Sequence, residues 1–284
     1  MLQVRKYMLA EGIFDRKYEV AVMEFNYSIY LQLEKILNSQ KLQSLDEHDE
    51  MLFMIVHQTY ELWFKQIIYE LDFLKRIIIS EKVWELLHTL KRIRCIIKVV
   101  VSQVDILETM SPVSFSNFRK YLGGASGYQS TQFREIEFLL GIKNEKILSS
   151  IDPATEEHKK LQAIYANSSI WENFLNLCCK QDIPEDVRQD TIALLLHIYK
   201  NPSLYTETAE LFLDIDEGIQ EWRYRHVKMV ERIIGNGSVG TNGSSGFEYL
   251  KNTMFLSFCP ELWKIRNFFY EPTQKLNSIR NWDS

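Results

Sequence analysis

Proline is scarce in this chain, six in 284 residues, and no segment approaches the roughly 20 consecutive apolar residues that a membrane span requires. With so few helix breakers, a chain that is 46% hydrophobic and 25% charged is expected to form long helices in a globular body, and not a disordered polymer. Cysteine is also sparse. Cys95, Cys178, Cys179 and Cys259 form no CxxC pair, and adjacent cysteines are poorly placed for an ordinary disulfide. Structural zinc and a disulfide framework are therefore not expected, and the missing CxxCH excludes covalent c-type haem attachment. Residues 1–15 lack the apolar core and cleavage site of a secretory signal. Together with the cysteine usage, this points to a soluble protein of the reducing cytoplasm. There is no basic excess: 33 Lys and Arg against 38 Asp and Glu leave a net charge of −5, which argues against a nucleic-acid partner. Several chemical signatures are missing as well. No HExxH and no GK[ST] occur, and Glu85–His88 has no second inward ExxH pair to make a di-iron site.

What the chain does hold is helical periodicity, with no convincing alternating strand. A short amphipathic helix is predicted over Tyr27–Ser39. A long one starts at the acidic cluster Asp46, Asp49 and Glu50 and runs to about Ile79. It is apolar on two faces, Leu52, Ile55, Val56, Trp63, Ile67, Leu71 and Leu74 on one, Phe53, His57, Tyr60 and Phe64 on the other, so it should be buried between neighbours. Further helices are predicted over Glu81–Met110, from Pro112, over Thr131–Leu140, from about Tyr205 to Gly235, and from about Phe247 and Pro260. Breaks at Pro153, Pro184 and Pro202 punctuate residues 142–205, which are compatible with a small helical insertion. No repeat and no linker is evident. The expectation is one all-α domain, a large bundle-like body with long core helices, over residues 1–284.

Candidate chemistry lies where rare residues cluster. Eight of the 11 glycines fall within 123–127 and 235–246, two loops where backbone freedom is wanted. The second formally contains GxGxxG at Gly235, Gly237 and Gly240, but a helix precedes it where a dinucleotide site needs a strand. It reads either as a flexible linker or as a mobile lid whose Ser and Thr hydroxyls close over a polar ligand. His226 shares a helical stripe with Trp222, Met229, Val230 and Ile233, while Arg223, Lys228, Glu231 and Arg232 fall mainly on other faces. Such an imidazole is either a core histidine bonded to a carbonyl or a ligand to something bulky. His57, on its buried helix, carries the same ambiguity. Arg119 follows Phe115 and Phe118 beside the first glycine loop, where its guanidinium is either a carboxylate receptor or half of a surface ion pair.

Four motifs taken together resemble the tryptophan 2,3-dioxygenase family: Tyr27–Leu33 (YSIYLQL), His48–Lys65 (HDEMLFMIVHQTYELWFK), Phe118–Arg134 (FRKYLGGASGYQSTQFR) and Trp222–Gly246, with a weaker echo in Leu250–Arg266. The resemblance implies an enzyme that uses a non-covalent haem b, ferrous when active, to insert both atoms of O2 across the indole C2–C3 bond of L-tryptophan, giving N-formyl-L-kynurenine. It implies His226 as the axial iron ligand and His57 as the acceptor of the indole N–H. Arg119 would receive the substrate carboxylate, and Thr241 the amino-acid end. Ser126 would lie near the haem edge and the ammonium, and Phe53 and Phe115 would line the pocket. Tyr27, Tyr30 and Leu31 match pocket residues that a neighbouring subunit supplies in a homotetramer, with no membrane or nucleic acid involved. The chain departs from the family pattern by one extra loop residue before Thr241, by Asn242 for a glycine, by Phe115 for a tyrosine and by Tyr128 for a phenylalanine. Two other readings share the resemblance: a haem enzyme hydroxylating a modified indole, and a non-catalytic haem or tryptophan sensor.

Overall fold

A computed structural model describes residues 26–44, 46–123, 129–235 and 246–269. These contain helices and no strand, as the periodicity predicts. They fall into two compact units divided between Leu42 and Gln43.

The first unit holds α1 (Tyr27–Leu31) and α2 (Leu33–Leu37). The single helix predicted here is broken at Gln32, whose φ of 55° ends α1 and starts α2. Asn26 caps α1 by accepting from the Ile29 amide, and Tyr27 and Tyr30 are exposed on the single chain.

The second unit begins with α3 (Asp49–Ile79), followed by α4 (Val83–Ser102), α5 (Val104–Leu107) and α6 (Pro112–Arg119). Next come α7 (Thr131–Leu140), α8 (Glu145–Ser149), α9 (Glu156–Ala166), α10 (Ile170–Cys179), α11 (Glu185–Arg188) and α12 (Thr191–Lys200). The unit ends with α13 (Leu204–Ile234), α14 (Gly246–Thr253) and α15 (Pro260–Ile265). Helix α3 starts three residues later than its acidic cluster predicts. Glu50 folds back instead, accepting from the amides of Gln43 and Ser44 at 2.7 and 2.8 Å and from the Ser44 hydroxyl. Burial alone would raise the Glu50 carboxyl pKa; those bonds bring it below its ordinary value. The helix expected over Glu81–Met110 is likewise divided, at Gln103, and its first residues form a turn with Glu81 at φ 59°.

Two 31-residue helices, α3 and α13, form the spine. They run antiparallel, with Tyr60 and Phe64 of α3 each 6.1 Å from the ring of Trp222 on α13. One contiguous core joins them to α4, α7, α10 and α12, and residues 142–205 contribute Trp171, Phe174 and Leu195 to it. Gly218 lets α13 approach α4, because a Cβ there would lie 2.7 Å from Ile97 Cγ2. Among the described residues no helix is long and apolar enough to cross a membrane.

Candidate active site

The two spine helices each bring one histidine to the same end of the bundle. His57 lies two turns into α3, and His226 two turns before the end of α13. Each is half-exposed by surface yet surrounded by protein on most sides, the signature of a side chain lining a crevice. The imidazoles are close enough that charge on His57 disfavours charge on His226.

His57 Nδ1 lies 2.7 Å from the carbonyl oxygen of Phe53 one turn earlier. A carbonyl only accepts, so Nδ1–H donates, and in the neutral ring Nε2 keeps its lone pair for another donor. Burial lowers the His57 pKa from its ordinary value, opposed by the Phe53 carbonyl and the Glu61 carboxylate. Glu61 is itself held by Gln132 of α7, whose side-chain amide donates to its carboxylate at 2.7 Å and to its carbonyl at 2.9 Å.

His226 differs in kind. Its ring stacks on Trp222 one turn back, centroids 5.3 Å apart and planes 6° apart. It makes no side-chain hydrogen bond to any described residue, so none of the described carbonyls holds it as one holds His57. Burial, with His57 nearby, pushes its pKa down to about 4, which leaves the imidazole neutral at pH 7. Trp222 Nε1, and Tyr60 Oη on the ring that contacts both Trp222 and His57, are also buried without a hydrogen bond to a described residue, and burial pushes the Tyr60 pKa up to about 12. The Trp222 N–H leans toward that phenol without reaching hydrogen-bond geometry. Buried polar atoms normally find a partner, so these two stand out beside the candidate ligand.

A chain of aromatic rings links these groups to α6. Phe53 lies 4.0 Å from the His57 ring, 5.5 Å from Phe118 and 5.9 Å from Phe115, and the latter two are 5.3 Å apart. Ser111 caps α6 and Pro112 opens it, and buried Phe115 and Phe118 fasten its last turn to α3. Arg119 ends that helix, half-buried, directly after Phe118. Gly123 follows with φ 57°, so the chain turns where a side chain would be strained. Ser126 and Tyr128 lie outside the described residues, as do Thr241 and Asn242. Tyr27, Tyr30 and Leu31 belong to the first unit.

The periodicity argument missed what anchors the His226 helix. Arg223, which lies on another face than the His226 stripe, is itself buried. Its guanidinium donates to Glu137 Oε1 and to the Leu256 carbonyl, each at 2.7 Å, and Arg134 reaches the other oxygen of Glu137 at 2.6 Å. Two turns earlier on α13, buried Asp216 accepts from the Phe258 amide at 2.8 Å and from Trp263 Nε1 at 2.7 Å. These bonds fix the segment after the glycine-rich loop to the helix before it. The only local hint was the polar series Asp216, Gln220 and Arg223 at i, i+4 and i+7; the partners lie tens of residues away.

Among the described residues no group of three or more His, Cys, Asp or Glu is placed to hold a metal ion. One neutral imidazole with no hydrogen bond to a described residue, flanked by a parallel indole, suits a metal whose remaining protein-independent donors come from a flat macrocycle.

Residues 15–166 and 182–269 match the family model described as tryptophan 2,3-dioxygenase. The chain is 44% identical over 254 residues to a tryptophan 2,3-dioxygenase of Herpetosiphon aurantiacus, covering 84% of this chain and 96% of that protein. It is 42% identical to one from Anaeromyxobacter sp. (strain K), with 84% and 94% covered, and 38% identical to one from Bacillus cereus, with 84% and 91% covered. On the extent of these matches, the chain belongs to the tryptophan 2,3-dioxygenase family.

Proposed function

We propose that this chain is a haem-dependent dioxygenase that inserts both atoms of O2 across the C2–C3 bond of L-tryptophan's indole and releases N-formyl-L-kynurenine. The observation that carries this reading is the pairing of two half-buried imidazoles with opposite wiring at one end of the bundle. His226, neutral and with no hydrogen bond to a described residue, would hold the iron of a non-covalent haem b, with Trp222, Met229, Val230 and Ile233 alongside on its stripe. Bound haem, ferrous when active, supplies the electrons that make dioxygen reactive toward a closed-shell indole.

The chain's own residues bind, orient and exclude water. His57 Nε2 accepts the indole N–H, its tautomer set by the Phe53 carbonyl. Phe53 and Phe115 shape an apolar slot for the ring. Arg119, at the end of a helix pinned to Phe53, pairs the substrate carboxylate, so an analogue lacking that group loses a charge-assisted contact and binds more weakly. Ser126 and Thr241 bind the amino-acid end of the substrate.

We also read the protein as a cytoplasmic homotetramer with one catalytic domain per chain, Tyr27, Tyr30 and Leu31 completing a neighbour's pocket. The family match spans both units. A strip of exposed apolar side chains, Met51, Ile55, Leu62, Tyr69 and Phe73, runs along the outer face of α3, opposite its core face; Leu62 and Tyr69 are 56% and 66% exposed. A second copy covering that strip accounts for it.

The test is to reduce the haem-loaded protein anaerobically, add L-tryptophan and then 18O2, and weigh the product. Two labelled oxygens in N-formylkynurenine support the dioxygenase. One labelled oxygen identifies a hydroxylase, and intact haem without turnover identifies a sensor.

A further inference from the structure

Trp222 also borders a second, partly open space in the bundle, one that neither histidine lines. A cavity of about 20 Å³ lies between four helices, and each supplies three side chains: 64, 67 and 71 from α3, 93, 97 and 100 from α4, 133, 136 and 140 from α7, and 215, 219 and 222 from α13. All twelve are apolar or aromatic, and ten are buried. The volume exceeds the roughly 10–15 Å³ that one water-sized molecule needs, yet the walls offer none of the two to four polar partners that hold a buried water. Such a space selects a small apolar guest. One end is closed by the rings of Phe64, Phe133 and Trp222, with Phe133 and Trp222 4.7 Å apart. The Trp222 indole is the same ring that stacks on His226 at 5.3 Å, so a single side chain separates the cavity from the candidate metal ligand.

We propose that this cavity is a docking site for molecular oxygen, held one indole away from His226 before it reaches the crevice. The inference rests on the reading that the chain consumes O2, but the site itself can be observed without turnover. Oxygen is apolar and small enough for the space, and Trp222, Phe64 and Phe133 form the one wall shared with the oxygen-consuming end of the bundle.

The experiment uses the haem-loaded protein in its reduced, carbon monoxide-bound diamagnetic form, with labelled Ile, Leu and Val methyls. Dissolved O2 is paramagnetic and speeds relaxation of the methyls it approaches. Relaxation at Leu71, Ile97, Val100 and Ile215 should rise with oxygen pressure more than at Leu161 and Leu194, equally buried but remote from the cavity. Xenon, a diamagnetic guest of similar apolarity, should compete that enhancement away. In Ile97→Phe, which fills the space, the enhancement should be lost, the KM for oxygen should rise and the KM for L-tryptophan should stay unchanged. Should Ile97→Phe fail to fold, Ile97→Ala widens the space and should strengthen both the enhancement and xenon binding. Equal relaxation at cavity and remote methyls overturns the proposal. So does an unaltered oxygen KM when the cavity is filled. If the protein makes no N-formylkynurenine, the proposed function fails, and the relaxation measurement still decides whether oxygen docks here.

Discussion

His57 and His226 sit at matching depths in two helices of equal length, and their surroundings make them chemically unlike. The first has one ring nitrogen tied to a backbone carbonyl one turn away, which fixes its tautomer and aims the other nitrogen outward as an acceptor. The second is held by a flat stack on Trp222 and has neither nitrogen engaged by a described residue. Residue type and depth therefore do not decide what a buried histidine is for. The decision lies in whether the helix's own carbonyl takes up the ring's donor.

The largest expected effect separates the two rings outright. His226→Ala should abolish stoichiometric haem binding, read from visible absorbance, while the far-ultraviolet circular dichroism stays helical; retained haem with a normal five-coordinate ferrous spectrum would remove His226 from its assigned role. Next comes the network that anchors only the His226 side. Glu137→Ala leaves Arg134 and Arg223 buried without their shared carboxylate and should cost about 3–5 kcal/mol in denaturant unfolding. Arg119→Leu acts on the His57 side of the crevice. It should lower kcat/KM for L-tryptophan by about 10–150-fold, the worth of one charge-assisted hydrogen bond, with haem binding intact. Gly218→Ala forces Ile97 to move and should destabilise by about 1–3 kcal/mol, measured by thermal melting.

The smallest effect is a shape of pH dependence. Because the His57 pKa is lowered in the folded protein, kcat/KM should stay level as pH falls past 6.5 and decline only below that, as the ring gains a proton and loses its acceptor. The sign for stability follows: the unfolded chain binds this proton more readily, so the histidine's contribution is complete above pH 6.5 and is lost on acidification toward the folded value. A decline in kcat/KM already centred above pH 6.5 would mean that His57 is not the titrating acceptor.

Much of this was legible in the sequence because it is local. The long helices, the capped start of α6 with Pro112, the Gly235 stop of α13 and the shared faces of Phe53 with His57 and of Trp222 with His226 all follow from spacings within a few turns. The misplaced start of α3 has a local cause too, but one that spacing does not reveal: Glu50 spends its carboxylate on the preceding amides and not on its own helix dipole. The breaks at Gln32 and Gln103 carry no glycine or proline signal. The buried ions were hidden for a different reason. Arg223 looks like a surface residue until Glu137, 86 positions away, is placed against it. Long-range electrostatic partners leave no period in a sequence.

The antiparallel spine has one more implication, for how such a chain can vary. Both imidazoles lie near one end of the bundle, and from His57 the helix α3 continues for 22 residues to Ile79, about 33 Å at the helical rise. The turn at Ser80–Lys82 and the α13 start at Ser203 therefore stand far from the chemistry, on the opposite side of a packed core. A lengthened loop or a fused domain at either place can be absorbed there without shifting the registry of the two histidines. The bundle separates the part of the molecule that must stay constant from a part that is free to diversify.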